Sequence, residues 1–341
     1  MTESAKGKKR KNSLPTIYDI AALAGVNPST VSRALNNPGR INAVTEAKIK
    51  DAAKQLHYQV NPFARALPTG RTRMLALIVA DITNPMFFDA VRGAEAAASN
   101  GGYTLVIAES QESGRLEAAT VERIMPSVDG VVLVTSRLED AEVLEIAGKK
   151  SVVLMNRRIE GVADVVPDVS EGIEQALEHL QSLGHASIAY LSGPANSWMS
   201  KHRWNLIFQG AVKRGLKVVE IGPNEPVLAG GKAAADLVIA SGVTSVMAYN
   251  DLIAIGLMGA LRDKGAPVPE KMSVIGFDDI FGADLTTPGL TTIKAPLERA
   301  GELAVQALLQ EIEDESSLAV TESAQNLKSQ LVFRSSTGQA K

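Results

Sequence analysis

Residues 16–36, TIYDIAALAGVNPSTVSRALN, carry two short helical patterns separated by one glycine. Apolar residues recur at three- and four-residue spacing on each side of Gly25, which favours two amphipathic helices joined by a tight turn. Thr16 is placed to cap the first helix, with Asp19 completing the cap. Pro28 stands in the first turn of the second helix, where its missing N–H costs nothing. This pattern predicts a helix-turn-helix, an element that enters the DNA major groove.

The second of these helices presents polar side chains on its outer face. Ser29 lies near the helix N-terminus, from which side chains reach base edges, and Arg33 follows one turn later with the geometry for a bidentate contact to guanine. Thr30 and Ser32 are better suited to phosphate contacts. A helical hairpin with a polar outer face is the alternative that the helices alone leave open.

Charge is divided unevenly along the chain, whose net charge is −3. Residues 1–75 carry 13 basic and 4 acidic side chains, a net of +9, and the remainder carries 22 basic and 34 acidic ones, a net of −12. A polyanionic partner is therefore expected for the N-terminal part only. Residues 1–14 form a disordered basic tail in this interpretation, residues 15–58 a DNA-binding domain completed by a third helix after Asn42, and residues 59–73 a linker.

Several functional classes lack their sequence signals. There are no cysteines, so disulfides, a thiolate nucleophile and a zinc–thiolate site are excluded, and the four histidines lack metal-ligand spacing. We found no GxGxxG after a strand, no GxxxxGK[ST] and no GxSxG. No apolar run is long enough to span a membrane and no secretory leader is recognisable, so a cytoplasmic protein without catalytic residues, metal or cofactor is expected.

From residue 74 onward, short apolar runs alternate with amphipathic helical segments. The eight runs are LALIVA (75–80), YTLVIA (103–108), GVVLVT (130–135), SVVLMN (151–156), SIAYLS (187–192), KVVEI (217–221), SVMAY (245–249) and SVIGF (273–277). Buried strands alternating with helices predict parallel sheets covered on both faces. The predicted fold is an all-α helix-turn-helix head followed by an α/β body of two doubly wound subdomains, near 74–168 and 169–290, with a ligand cleft at the strand carboxyl ends.

Several blocks of sequence, in this order, resemble the LacI/GalR family of bacterial repressors. The blocks are TIYDIAALAGVNPSTVSRALN, LHYQVNPFARAL, VADITNPMF, LGHASIAYLSGP, YNDLIAIGLM, SVIGFDDI and LVFRSST, and together they span about residues 16–338. The resemblance implies a homodimer on a pseudo-palindromic double-stranded operator and a body similar to periplasmic sugar-binding proteins. Its subdomains would comprise 74–168 with about 298–322, and 169–297 with about 323–338.

The same resemblance implies a hinge helix at 61–67, in which Leu67 enters the minor groove as an apolar wedge beside Ala64. The DNA-contacting residues implied in all are Thr16, Tyr18, Pro28, Ser29, Thr30, Ser32, Arg33, Asn36, Asn61, Ala64 and Leu67. Two residues depart from the family pattern. Glu46 stands where a basic residue is usual, and Pro28 occupies a position that often reads bases, which shifts discrimination toward Ser29 and Arg33.

Effector contacts carried over from the family fall on Asn156, Arg203, Asn250 and Asp278, three of which end predicted strands. Their donors and acceptors suit a sugar, polyol or nucleoside. Asn84 and Phe87, beside Met86, are expected to form an apolar wall, and Trp198 is a further contact. Purely structural roles stay open for each: helix capping by Asn250, turn capping by Asp278, and a surface ion pair for Arg203.

The function expected from these features is a metabolite-controlled transcription regulator, acting as a repressor. Ligand binding would change the angle between the subdomains and order or melt the hinge helices. The chain after Arg334 has no leucine heptad, so a C-terminal coiled coil is not expected. The alternatives are a ligand-binding protein for uptake, against which the basic N-terminal part argues, and a nucleotide-using enzyme of doubly wound fold, whose phosphate-binding motifs are missing.

Overall fold

The computed structural model of the chain describes residues 15–36, 39–58, 70–313 and 327–341. They divide into two units, Met1–Thr72 and Arg73–Lys341. The expected tail at 1–14 and the hinge residues Asn61, Ala64 and Leu67 lie outside the described residues. No helix in the described ranges is long and apolar enough to cross a membrane.

The N-terminal unit is built from three helices, α1 (Ile17–Ala24), α2 (Pro28–Asn36) and α3 (Ala43–Gln55). The caps expected from the sequence are present. Asp19 accepts hydrogen bonds from the backbone N–H and the hydroxyl of Thr16, each at 2.7 Å. Gly25 ends α1 with φ +67°, the left-handed conformation that glycine adopts without strain. Asn42 begins α3 by accepting from the N–H of Val44 at 2.9 Å.

A small apolar core joins these helices. Each helix contributes two buried side chains, which are Ile20 and Ala21, Val31 and Ala34, and Ile49 and Ala52. Because this core lies on the inner side of every helix, the polar side of α2 is left available to solvent. The predicted helix-turn-helix is therefore confirmed as a packed three-helix unit.

The C-terminal unit contains two parallel sheets with helices on both faces, as predicted. The first sheet has the order β2-β1-β3-β4-β5 and consists of β1 (Met74–Val79), β2 (Thr104–Glu109), β3 (Gly130–Val134), β4 (Ser151–Met155) and β5 (Ala163–Val165). Its helices are α4 (Met86–Asn100), α5 (Gly114–Ile124), α6 (Asp140–Ala147) and α11 (Leu297–Glu313). A 3-10 turn, Met125–Ser127, follows α5.

The second sheet has the order β11-β10-β9-β8-β6-β7. Its strands are β6 (Ser187–Leu191), β7 (Lys217–Ile221), β8 (Ser245–Ala248), β9 (Ser273–Phe277), β10 (Thr291–Lys294) and β11 (Gln330–Val332). Its helices are α7 (Ser170–Ser182), α8 (Trp198–Lys213), α9 (Leu228–Ala240) and α10 (Asp251–Asp263). All neighbouring strands run parallel except β11, which is antiparallel to β10.

Strand β1 shows why its sequence is apolar throughout. Leu75, Leu77 and Val79 pack into a core shared with α4 and α11, whereas Ala76 and Ile78 point to the other face, toward α5 and α6. Successive residues of a strand face opposite sides, so a strand covered on both sides has no polar positions. Continuous hydrophobicity was therefore the correct signal for a buried parallel strand.

Glycines allow two helix pairs to approach closely, one beside each sheet. A Cβ on Gly93 would lie 1.8 Å from the carbonyl oxygen of Glu298, and one on Gly301 would lie 2.1 Å from that of Ala90, so α4 and α11 touch through backbone. In the same way, a Cβ on Gly231 would lie 1.9 Å from the carbonyl oxygen of Ile253, where α9 meets α10. These contacts fix helices that pack directly on the sheets carrying the site.

Three short strands were not predicted from the sequence. They are β5, β10 and β11, of three, four and three residues. The second sheet consequently includes residues beyond 290, where the alternating pattern of strands and helices recognised in the sequence ends. His185 is buried, and its ring nitrogens contact Thr244, Ser273 and Gly338.

Candidate functional site

The outer face of α2 exposes two of the side chains chosen from sequence. Ser29 and Arg33 are exposed and one helical turn apart, which places them on the same side of α2, while Pro28, Thr30 and Ser32 are half-buried. Two further candidates lie at the start of the unit: Tyr18 is 69% exposed, and the hydroxyl of Thr16 donates to Asp19. The side chain of Asn36 is outside the described residues.

Glu46 has a structural role that explains an acidic residue in this basic unit. Its carboxylate forms an ion pair with Lys50 at 2.7 Å and accepts from the backbone N–H of Gly39 at 3.1 Å. These two contacts, Lys50 first, lower the pKa of the Glu46 carboxyl. Glu46 therefore fastens α3 to the turn that precedes it.

In the C-terminal unit, the residues that follow strands β4 and β9 have unusual backbone geometry. Asn156 follows β4 with φ +60°, and Asp278 and Asp279 follow β9 with φ +104° and +52°. Left-handed conformations are costly for residues other than glycine and persist where the surrounding structure imposes them, often at ligand sites. Asn156 and Asp278 are also buried, at 5% and 7% exposure.

Arg203 and Asp278 meet in a buried ion pair. Arg203 is the sixth residue of α8, and its Nη2 lies 3.1 Å from Oδ1 of Asp278, with both side chains almost fully buried. The guanidinium also donates to the backbone carbonyl of Tyr249 and lies 3.7 Å from the centre of the Phe277 ring. Burial raises the pKa of the Asp278 carboxyl, and Arg203 opposes this effect without cancelling it. The sequence had left open a surface ion pair for Arg203. This alternative is wrong, because the ion pair that Arg203 forms with Asp278 is buried.

This ion pair leaves two polar atoms unused. Oδ2 of Asp278 and Nε of Arg203 are buried and have no hydrogen-bond partner among the described residues. Buried polar groups are nearly always paired, so an orphaned acceptor and an orphaned donor on contacting side chains call for an explanation. Hydroxyl groups of a ligand, which both donate and accept, have the chemistry to pair with such atoms.

Two of the amide side chains selected from sequence, those of Asn250 and Asn84, already have internal partners. Asn250 begins α10: its Oδ1 accepts from the N–H of Ile253 at 2.9 Å and its Nδ2 donates to the carbonyl of Pro226 at 2.8 Å. Asn84 accepts from the N–H of Met86 at 3.1 Å, at the start of α4. The structural role left open for Asn250 is thus present in the structure.

Phe87 is 3% exposed and belongs to the core beneath the first sheet. The neighbouring Met86 is partly buried and packs against the cores of both sheets. The apolar side chain that packs against both cores is therefore Met86, which the sequence places in the expected apolar wall with Asn84 and Phe87.

A cavity of about 440 Å³ opens between residues that follow β3 and β4 and the first turn of α8. We call it the cleft cavity. Its lining includes Arg137, Glu139, Asp140, Arg157, Trp198 and Lys201. Trp198 is held by stacking on His202, with ring centres 4.8 Å apart. Of the effector residues selected from sequence, Trp198 is the one that lines this cavity.

Two cleft arginines were missed by sequence reasoning. Arg137 forms an ion pair with Glu112 at 2.7 Å; burial alone would lower the pKa of its guanidinium, but Tyr249 and Glu112 raise it above the usual value. Arg157 forms an ion pair with Asp140 at 2.5 Å. Both arginines follow strands at their carboxyl ends, where ligands of such folds bind, so their position in the sequence could have indicated them. No group of three potential metal-ligating side chains occurs in the described ranges.

The chain is similar to known proteins along most of its length. Residues 16–61 match a family model described as "Bacterial regulatory proteins, lacI family", and residues 177–337 match a periplasmic binding protein-like domain. The HTH-type transcriptional regulator DegA of Bacillus subtilis is 31% identical over 297 residues, which cover 84% of this chain and 88% of DegA. The HTH-type transcriptional repressor PurR of Vibrio cholerae is 33% identical, over 88% and 92% of the two chains.

Among solved structures, the Lac repressor dimer bound to operator and the anti-inducer ONPF superposes with a TM-score of 0.83. The match covers 96% of this chain and all of that one, at 23% sequence identity. At this level of identity the similarity establishes the fold.

Proposed function

The chain belongs to the lacI family of bacterial regulatory proteins, and we propose that it is a transcriptional repressor whose hold on a pseudo-palindromic operator is controlled by a hydroxyl-rich metabolite. Membership makes it a DNA-binding transcription regulator with a small-molecule site. The proposal adds which residues read DNA, which bind the effector, and that the functional unit is a homodimer.

For DNA recognition, the proposal assigns base reading to Ser29 and Arg33. Both are exposed on one side of α2, and the unit that carries them is basic although the chain as a whole is acidic. A guanidinium can form two hydrogen bonds to guanine, whereas a serine hydroxyl is less selective, so Arg33 should contribute most of the discrimination. The hinge role of Leu67 remains part of the proposal.

For effector binding, the proposal rests above all on the orphaned atoms of the Arg203–Asp278 pair. An uncharged ligand with adjacent hydroxyls would donate to Oδ2 of Asp278 and accept from Nε of Arg203, and it would need no counter-ion. Asn156 stands at another strand end and Trp198 in the cleft cavity, where an aromatic side chain can cover an apolar ligand face. Sugars and polyols fit this donor set.

The homodimer is supported by an exposed apolar pair close to the effector site. Phe281 is 81% exposed and Leu285 is 72% exposed, both on the segment that follows Asp278 and Asp279. Large exposed apolar side chains close together are typical of protein interfaces. A second copy of the chain is the partner that a pseudo-palindromic site requires.

The test begins with DNA selected from a random library by the full chain. Fluorescence anisotropy then measures its affinity for the selected sequence with and without a panel of sugars, polyols and nucleosides. Asp278→Asn should bind the selected DNA like the wild type but lose the response to the active metabolite, because the amide places an N–H₂ or a weaker acceptor where the carboxylate accepts.

Asp236→Asn is the matched control. It removes the same charge from a side chain that is 78% exposed on α9, and it should respond to the metabolite normally. A normal response by Asp278→Asn would show that the effector site is elsewhere. Failure of the chain to select any sequence from the library would refute the DNA-binding part of the proposal.

A further inference from the structure

A second cavity, of about 400 Å³, lies beside α8 at the carboxyl ends of β6 and β7. We call it the Trp204 cavity. Trp204 contributes an aromatic wall, and Ser192, Lys201 and Glu220 contribute polar groups. Its volume lies within the range of small-molecule sites, in which aromatic walls carry a few convergent polar groups.

The lining of this cavity carries a hydroxyl, a cation and an anion. The hydroxyl belongs to Ser192, a residue that is 4% exposed. Within the described ranges, the ammonium of Lys201 and the carboxylate of Glu220 enter no ion pair. These groups around one cavity supply donors and acceptors for a polar ligand without net charge.

Trp204 is held in one orientation by its neighbours. Its ring is stacked on the fully buried Tyr190, with centres 5.9 Å apart and planes inclined by 14°. The ring of Phe208 lies 5.6 Å away on the next turn of α8. A fixed, half-buried indole presents a flat apolar surface and an N–H, which suits a ligand with one apolar face and polar edges.

Lys201 connects the Trp204 cavity with the cleft cavity, because it lines both. Trp198, Lys201 and Trp204 are three residues apart on α8. At 3.6 residues per turn, each step of three rotates by about 60° around the helix, so Lys201 lies between the two indoles. From Trp198 to Trp204 the helix rises about 9 Å. A monosaccharide does not bridge this distance, whereas two linked sugar units do.

We propose that the Trp204 cavity is a second sugar subsite and that the effector is a disaccharide or a longer glycoside. One unit occupies the cleft cavity beside Trp198, and the next stacks on Trp204. The hydroxyls of that second unit donate to Glu220 and accept from Lys201, and one of them pairs with Ser192. This inference rests on the proposed function, since it extends the same effector site outward.

The chain allows the two subsites to be observed separately, because Trp198 and Trp204 are its only tryptophans. In Trp198→Phe the emission reports on the Trp204 cavity, and in Trp204→Phe it reports on the cleft cavity. Each full-length variant is titrated with glucose, cellobiose and maltose, and with galactose, lactose and melibiose. A disaccharide should change the emission of both variants, whereas its component monosaccharides should change only that of Trp204→Phe.

Affinity provides a second measurement that does not depend on removing an aromatic side chain. Glu220→Gln alters an exposed group that lines only the Trp204 cavity and has no ion pair in the described ranges, and it should weaken disaccharide binding by about tenfold while leaving monosaccharide binding unchanged. Glu178→Gln, a charge removal on α7, is the control and should change neither.

The outcomes separate this inference from the proposed function. If the emission of Trp198→Phe does not change with any sugar that changes the emission of Trp204→Phe, the second subsite is refuted and the proposed effector site stands. If adding Asp278→Asn to Trp198→Phe leaves the sugar affinity measured from Trp204 emission unchanged, the Trp204 cavity binds sugar independently and the two-unit effector is wrong. If neither variant responds to any sugar of the panel, the two-unit sugar effector is refuted, and the wider panel of polyols and nucleosides decides the proposed function.

Discussion

Replacing Arg203 by Met would leave Asp278 buried without its cation. The two side chains are almost fully buried and lie 3.1 Å apart, and burial raises the pKa of the Asp278 carboxyl even with Arg203 present. Methionine approximates the length of arginine and keeps apolar contact with Phe277, so the change removes mainly charge and hydrogen bonds. Without Arg203, the pKa of Asp278 must rise further.

The loss of stability should be large and should depend on pH. Removing one partner of a buried pair costs about 3–5 kcal/mol. A carboxyl whose pKa is higher in the folded than in the unfolded chain binds its proton more tightly when folded. Its contribution to stability is therefore greatest below the unfolded value of 3.8 and is lost as the pH rises toward the folded pKa. The loss of stability caused by Arg203→Met should consequently be larger at pH 8 than at pH 5.

Thermal unfolding of the full chain, followed by circular dichroism at both pH values, measures this effect. One kcal/mol corresponds to about 2–4 °C for a unit of about this size, so the midpoint should fall by about 6–20 °C at pH 8 and by less at pH 5, relative to the wild type at the same pH. Asp278→Asn and the double variant complete a cycle, in which the double variant should lose less than the sum of the single ones.

Arg262→Met is the control, since that arginine is 69% exposed and its loss should shift the midpoint little at either pH. Equal shifts for Arg203→Met at pH 5 and pH 8 would refute protonation of Asp278 as the response to losing its partner. Strict additivity in the cycle would show that the two side chains do not stabilise each other.

Three further changes test other parts of the molecule. Arg33→Ala should reduce the preference for selected over random DNA by about 1–3 kcal/mol while nonspecific affinity persists, and equal relative losses in competition binding would contradict this role. Burial lowers the pKa of His185, so the stability of the wild type should fall as the pH drops below about 6.5. In His185→Asn, the stability measured by urea unfolding should depend less on pH. If the pH dependence is the same as in the wild type, His185 is not its cause. Gly301→Ala would place a Cβ 2.1 Å from the carbonyl oxygen of Ala90 and should cost about 1–3 kcal/mol in urea unfolding, whereas Gly259→Ala, with nothing within 4 Å, should not destabilise.

Sequence alone predicted those elements of the fold whose signals are local. The caps at Thr16 and Asn42 and the turn at Gly25 depend on residues within one helical turn, and all three are present in the structure. The long apolar strands were recognisable because both of their faces are covered. By contrast, β10 and β11 are short, and their pairing joins residues 291–294 with 330–332 across the whole of α11. No local period encodes such a pairing.

The sequence indicated which residues belong to the effector site better than it indicated what those residues contact. The family resemblance implied Asp278, and its place after an apolar strand agreed, but its ion pair with Arg203 joins residues 75 positions apart. The resemblance implied Asn250 in the same way, yet its amide is occupied by Ile253 and Pro226. A strand end places a side chain at the cleft without determining whether it faces a ligand or its own helix.

The segment that follows β9 connects the effector chemistry to the exposed apolar residues. Asp278 contacts Arg203; the next residue, Asp279, is held by Arg334 at 2.6 Å and by Lys294 at 3.1 Å. The N–H of Ile280 then donates at 2.9 Å to Asp251, a carboxylate that is itself fully buried. Three consecutive residues are thus fixed by three different parts of the fold, two of them in left-handed conformations.

Such a segment has few ways to adjust gradually, because a change in φ at Asp278 must be compensated at Asp279 or break a buried contact. A ligand that reorients the Asp278 carboxylate therefore acts on the main chain that leads directly to Phe281, which is 81% exposed. Packed, multiply bonded elements respond by switching between discrete arrangements. This is the property that a site needs if ligand binding is to change how two copies of a chain meet.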